Sequence, residues 1–141
     1  MRGLLFILAL SMVAPAVVAE DLVVIVNPKS GVSQLTREEV VDVFMGRNRQ
    51  LPSRLTALPL DLPSSTAERE QFYRQLTGRS LAEINAYWAR LMFTGRATPP
   101  ILVSGQDESL LMVMDNRSAV AYVSRSRVNA QVKVVYEVGG K

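Results

Sequence analysis

The chain has 141 residues, with 16 Lys and Arg against 13 Asp and Glu, and it contains neither cysteine nor histidine. The lack of both residue types excludes disulfides, thiol chemistry, histidine-based catalytic triads and the usual zinc sites. Arginine supplies 13 of the 16 positive charges. This arginine content is compatible with binding of anionic partners or with an ordinary solvated surface. The interspersed acidic residues argue against a nucleic-acid-binding protein.

Residues 1–19 have the pattern of a secretory signal peptide. Arg2 gives a positive start, and "LLFILALSMVAPAVVA" is an apolar stretch that ends in small residues. Glu20 follows too early for the about 20 apolar residues of a membrane span, although an uncleaved anchor is the alternative. We therefore predict cleavage after Ala19, a periplasmic location and one domain over residues 20–141.

The first strand and helix of this domain are clearly marked in the sequence. "LVVIV" (residues 22–26) is a β-branched apolar run typical of a strand buried on both faces. After the turn residues "NPKSG", Thr36 and Glu39 form a capping box, which predicts a helix that ends at Gly46.

The middle of the chain predicts a strand followed by two helices. "TALPL" (residues 56–60) indicates a short strand, and Pro59 favours an edge position or a strand end. The next helix should stop at Gly78, and Ser80 should cap a third. Apolar side chains recur in that third helix at helical spacing, and its aromatic residues are predicted to lie in the core: Leu81, Ile84, Tyr87, Trp88, Leu91 and Phe93.

The C-terminal part predicts three further elements and a last strand. "ILV" (residues 101–103) and "AVAYV" (residues 119–123) indicate strands, and "QVKVVYEV" (residues 131–138) alternates as a half-buried strand does. Between the first two, a helix over residues 106–115 should turn Leu110, Leu111 and Met114 inward. Strands that alternate with helices predict one α/β domain, with a mixed or mostly parallel sheet flanked by helices.

"PSST" (residues 63–66) places three hydroxyl groups where a strand gives way to a helix. A helix N-terminus offers free N–H groups and partial positive charge, so Ser64, Ser65 and Thr66 could help to bind an oxyanion, with Arg69 as counter-charge. The alternative is a plain helix cap, because Ser65 and Glu68 have the spacing of a capping box.

The sequence resembles the periplasmic phosphate-binding proteins of phosphate ABC transporters, and most closely their short secreted members. The resemblance is carried, in order, by "LTREEVVDVFMGRNRQLPS", "LPLDLPSSTAEREQFY", "AYWARLMFTGR" and "NRSAVAYVSRSRV", which together span nearly all of residues 23–136. It implies a single lobe of a type II periplasmic binding protein fold, whose two-lobed members hold phosphate with hydroxyls, backbone amides and an arginine. The family's helix start would fall on residues 64–66, or one residue out of register, with serine in place of glycine and no arginine at residues 60–62.

Two functions follow from these observations. The first is a periplasmic module that binds phosphate or a related oxyanion through Ser64, Ser65, Thr66 and Arg69 for ABC-type uptake or sensing. A homodimer could close its open face. The alternative is a ligand-free interaction module of the same fold that docks onto a membrane transporter, porin or sensor kinase. Neither an enzymatic activity nor a metal or organic cofactor is predicted.

Overall fold

The computed structural model describes residues 11–13 and 20–140, and the predicted signal peptide otherwise lies outside these residues. The strands are β1 (Leu22–Val26), β2 (Leu58–Asp61), β3 (Ile101–Leu102), β4 (Ala119–Ser124) and β5 (Lys133–Glu137), and the α-helices are α1 (Arg37–Phe44), α2 (Ala67–Thr77), α3 (Leu81–Phe93) and α4 (Gln106–Asp115). Short 3₁₀ turns follow β1 at Pro28–Ser30 and β4 at Arg125–Arg127. Among the described residues, no helix has the length and apolar character that a membrane crossing requires.

The strands form one mixed sheet in the order β3-β2-β4-β1-β5. β2 runs parallel to β3 and β4, whereas β1 runs antiparallel to β4 and β5. Every residue of β1 and β4 is buried, because both strands lie inside the sheet and helices cover its faces. The predicted α/β fold with a mixed sheet and flanking helices is confirmed.

Two strand predictions need correction. β2 is an interior strand, although Pro59 favoured an edge; the proline is tolerated because β3 pairs only with Leu60 and Asp61. In β5, the register shifts where Val24 pairs with Tyr136 and the next residue of β1 pairs with Val134. The extra residue, Val135, breaks the predicted alternation, and its carbonyl accepts a hydrogen bond from the N–H of Leu35.

The predicted helix starts are largely confirmed. Thr36 accepts a hydrogen bond from the N–H of Glu39, whose carboxylate accepts one from the N–H of Thr36, so the capping box of α1 is complete. Ser80 caps α3 by accepting from the N–H of Glu83. Trp88 is in the core as expected, but the exposed fractions are 94% for Phe93 and 59% for Leu111, so the predicted inward orientation of these two side chains is wrong.

Gly46 controls how closely α1 can approach α3. Its φ of +69° lies in the left-handed region, and a Cβ at this position would be 2.8 Å from Cη2 of Trp88. Gly78 ends α2 with a similar φ of +72°, but a Cβ there would meet no atom within 4 Å. Both glycines therefore adopt a left-handed backbone conformation, but only Gly46 lies against a neighbouring side chain.

We expect Gly46→Ala to destabilise the protein more than Gly78→Ala. Both variants should lose about 1 kcal/mol from the left-handed backbone, and Gly46→Ala should lose about 1–3 kcal/mol more because Trp88 must move. Urea unfolding of residues 20–141, which contain every described helix and strand, measures both changes. Equal losses would show that the Trp88 contact is not restrictive.

Candidate functional site

The hydroxyl-rich segment lies between the end of β2 and the start of α2, as the sequence predicts. β2 and β3 are parallel, so their carboxyl ends open toward the same side of the sheet. In open α/β sheets this edge is where ligands usually bind. Asp61, the last residue of β2, is buried and forms the floor of the site.

The carboxylate of Asp61 accepts four hydrogen bonds. Its Oδ1 accepts from the N–H of Leu62 at 2.9 Å and from the hydroxyl of Tyr122 at 2.5 Å. Its Oδ2 accepts from Nε of Arg69 at 3.2 Å and from the hydroxyl of Tyr73 at 2.8 Å. We call Asp61, Arg69, Tyr73 and Tyr122 the Asp61 cluster. It joins β2, α2 and β4, and all of its members are buried.

Arg69 extends the cluster from Asp61 toward the cleft. Its Nη1 donates to the hydroxyl of Ser64 at 3.1 Å and to the side-chain oxygen of Asn85 at 3.2 Å. The side chains of Arg69 and Asp61 are each only 8% exposed. A buried pair of opposite charges is nearly neutral from outside, so Arg69 adds donors to the cleft but little net positive charge.

The two tyrosines are fixed as hydrogen-bond donors. Burial, reinforced by the negative charge of Asp61, raises the pKa of Tyr73 and that of Tyr122 well above the ordinary value for a phenol. Because both hydroxyls stay protonated at physiological pH, they act as donors to the carboxylate oxygens of Asp61.

The three hydroxyl residues have different positions. Ser64 contacts Arg69, whereas Ser65 is exposed and Thr66 is the N-cap of α2. The capping box predicted for Ser65 and Glu68 is wrong: the hydroxyl of Thr66 donates to the carbonyl of Pro63 at 2.7 Å, and no side chain caps the helix. The first N–H groups of α2 thus lack the side-chain acceptor that α1 and α3 have.

A cleft of about 410 Å³ opens beside Ser64 and Arg69. Its polar wall consists of Asp61, Ser64, Arg69 and Asn85. Its other walls come from the turn after β2, from α3, and from β3 with the segment that leads into it. These walls are mainly apolar: Leu62, Pro63, Trp88, Ala89, Met92, Pro99, Pro100 and Leu102. The cleft therefore has few polar groups among mostly apolar walls.

The other side of the α2 start is acidic. Thr66 and Glu68 share a second cleft of about 350 Å³ with Asp107, Glu108 and Arg127. Arg127 is paired with Asp107 at 2.6 Å. Hydrogen bonds from the backbone and hydroxyl of Ser104 lower the pKa of Glu108. This side of the helix start therefore carries net negative charge, and the side that faces Ser64 is the better candidate.

The structure brings the predicted residues Ser64 and Arg69 together at the helix start, and it adds Tyr73, Tyr122 and Asn85, which were not predicted from the sequence. One signal was available for Tyr122: it lies in a strand that reads as fully buried, and a buried tyrosine hydroxyl normally has a hydrogen-bond partner. The burial of Arg69 carried no local signal, because its partners Asp61 and Asn85 lie in two other elements, β2 and α3.

Similar architecture is found in solved phosphate-binding proteins. An ABC-type phosphate transport receptor from Vibrio cholerae matches with 19% identity and a TM-score of 0.65, over 82% of this chain and 45% of that one. A putative phosphate ABC transporter substrate-binding protein from Clostridium perfringens, solved with bound phosphate, matches with 17% identity and a TM-score of 0.67. The match covers 86% of this chain and 46% of that one. PstS from Borrelia burgdorferi matches with 11% identity and a TM-score of 0.64, over 83% of this chain and 47% of that one.

These similarities establish the fold. The chain spans less than half the length of each of these proteins, as a single lobe would. The predicted resemblance to a periplasmic binding protein lobe is confirmed at the level of architecture. No protein-family model and no curated protein matches the sequence.

We expect Asp61→Asn to destabilise the protein strongly. The amide cannot neutralise Arg69, and a buried charge that loses its partner typically costs about 3–5 kcal/mol. Urea unfolding of the variant measures this loss. Glu70→Gln is the matched control, because it breaks the Glu70–Arg74 pair, which is exposed, and should change stability by about 0.5 kcal/mol or less. Similar losses in both variants would contradict the importance of the buried pair.

Proposed function

We propose that this chain is an exported solute-binding-type lobe that binds a phosphate-like oxyanion weakly at the start of α2. The observation that carries the proposal is the uncapped N-terminus of α2 beside Ser64 and Arg69, at the edge of the sheet where β2 and β3 end. Free N–H groups and the helix dipole favour an anion at such a position. The bound phosphate of the Clostridium perfringens neighbour supports the choice of ligand.

Each of the four candidate residues has a distinct role in this proposal. The exposed hydroxyl of Ser65 and that of Ser64 donate to the anion, and Thr66 keeps the helix start open because its own hydroxyl is bound to Pro63. Arg69 orients Ser64 through a hydrogen bond, and the outer edge of its guanidinium group faces the anion in this proposal. Its Nη2 makes no hydrogen bond to any residue that the structure describes.

The proposed affinity is low for two physical reasons. Asp61 cancels most of the positive charge of Arg69, and Glu68 adds negative charge close to the helix start. Ser64 and Ser65 are also exposed, so water competes with and screens every interaction that the anion makes. A second copy or another protein that covered this face would strengthen binding by excluding that water.

A second candidate function is a ligand-free interaction module of the same fold. It is favoured by the Asp61–Arg69 pair itself, since a cleft whose arginine is already neutralised and whose walls are mostly apolar suits a protein surface. A membrane transporter, porin or sensor protein is the type of partner that this candidate implies.

Thermal unfolding of residues 20–141 separates the two candidates. We expect 20 mM phosphate to raise the melting temperature more than sulfate or chloride at matched ionic strength, because a ligand that binds only the folded state stabilises it by RT ln(1 + [L]/Kd). For a Kd near about 1 mM, the gain would be roughly 1.8 kcal/mol.

The change Ser64→Ala/Ser65→Ala should remove the phosphate-specific shift and leave the unliganded protein folded. Ser80→Ala is the matched control, because it removes the hydroxyl cap of α3 and should lower stability without changing the phosphate shift. A shift of the same size with all three anions, or one that the paired serine change leaves intact, would reject the oxyanion site and favour the interaction module.

A further inference from the structure

Exposed apolar side chains are concentrated around the end of α3. In residues 20–140 five large apolar side chains are exposed, and four of them lie between residues 92 and 102. The exposed fractions are 58% for Met92, 94% for Phe93 and 68% for Leu102. Together with Arg90 and Arg96, these three residues form what we call the tip surface. Their clustering is unlike the scattered apolar exposure of an ordinary protein surface.

The parts of the tip surface lie at the end of α3 and at the cleft beside it. The N–H of Arg96 donates to the carbonyl of Leu91 at 3.1 Å, which folds the chain back against the end of α3. Arg90 and Phe93 are three residues apart in the helix and so share a face. Met92 and Leu102 both line the cleft beside Ser64. Arg90 and Arg96 thus flank Met92 and Phe93 in the chain.

The chain segment that carries the tip surface has only positive charges. No acidic residue occurs from Ile84 to Gln106, whereas Arg90 and Arg96 lie within that stretch. Both arginines are exposed, and neither belongs to an ion pair within the described part of the chain. A partner for this surface must therefore offer negative charge together with an apolar environment.

We propose that the tip surface binds the surface of an anionic phospholipid bilayer. Exposed Phe, Met and Leu side chains bordered by arginine fit the boundary between lipid headgroups and acyl chains, which requires no shape complementarity. Three side chains expose an area on the order of a few hundred Å², less than the roughly 800 Å² per partner of a standard protein interface. The nearly complete exposure of Phe93 also indicates insertion into a soft layer.

Co-sedimentation with lipid vesicles tests this proposal on residues 20–141. We expect binding to vesicles of equal parts phosphatidylglycerol and phosphatidylcholine, and much weaker binding to pure phosphatidylcholine. Phe93→Asp should reduce partitioning to the anionic vesicles by about tenfold. Arg90→Gln and Arg96→Gln should each reduce it by roughly fivefold, and higher salt should weaken binding by the unaltered protein.

Leu111→Asp is the matched control, because Leu111 is 59% exposed on α4 and lies outside the tip surface. It should bind vesicles as the unaltered protein does. Thermal unfolding should show that Phe93→Asp is folded, since the replaced side chain is almost wholly in solvent. No vesicle binding by the folded protein, or equal losses for Leu111→Asp and Phe93→Asp, would overturn the proposal. Neither result bears on oxyanion binding at Ser64 and Ser65.

Discussion

The buried ion pair between Asp61 and Arg69 connects the fold to the candidate site. Asp61 ends a strand in the middle of the sheet, and Arg69 lies in the first turns of α2. Two buried tyrosine hydroxyls complete the coordination of the carboxylate, one from α2 and one from β4. Because this cluster has no spare acceptor capacity and little contact with water, it fixes the direction in which α2 leaves the sheet.

The same pair sets the character of the cleft above it. An unpaired arginine would attract any anion, whereas a neutralised one contributes geometry more than charge. Recognition at the proposed oxyanion site then depends on the helix start and on neutral hydroxyl donors, which are weak in water and effective only where water is excluded. The proposed oxyanion site is for this reason one of low affinity.

Local patterns were sufficient to predict much of the fold. The capping residues of α1 and α3, the buried β1 run and the bounds of α4 all followed from spacing over a few residues. Phe93 shows where such patterns fail: its position is compatible with an apolar helix, but the helix extends beyond the core at that point, so the side chain meets solvent. The bulge at Val135 likewise depends on pairing with a distant strand.

The site was less predictable because its contacts are distant in sequence. Asp61 and Tyr122 are separated by 61 positions, and the sequence alone presents Asp61 as a negative charge that would oppose an anion. Only the folded chain shows that this charge is already used by Arg69. For Ser65 the local pattern was misleading, because the turn at Pro63 moves the N-cap to Thr66.

The most direct test of the oxyanion site is an NMR titration of ¹⁵N-labelled residues 20–141 with phosphate, followed through the backbone amides. The account predicts that the largest saturable shifts occur at the amides of residues 65–68, with smaller changes in sulfate. Shifts that are absent there, or that appear instead at the exposed arginines of the surface, would contradict it.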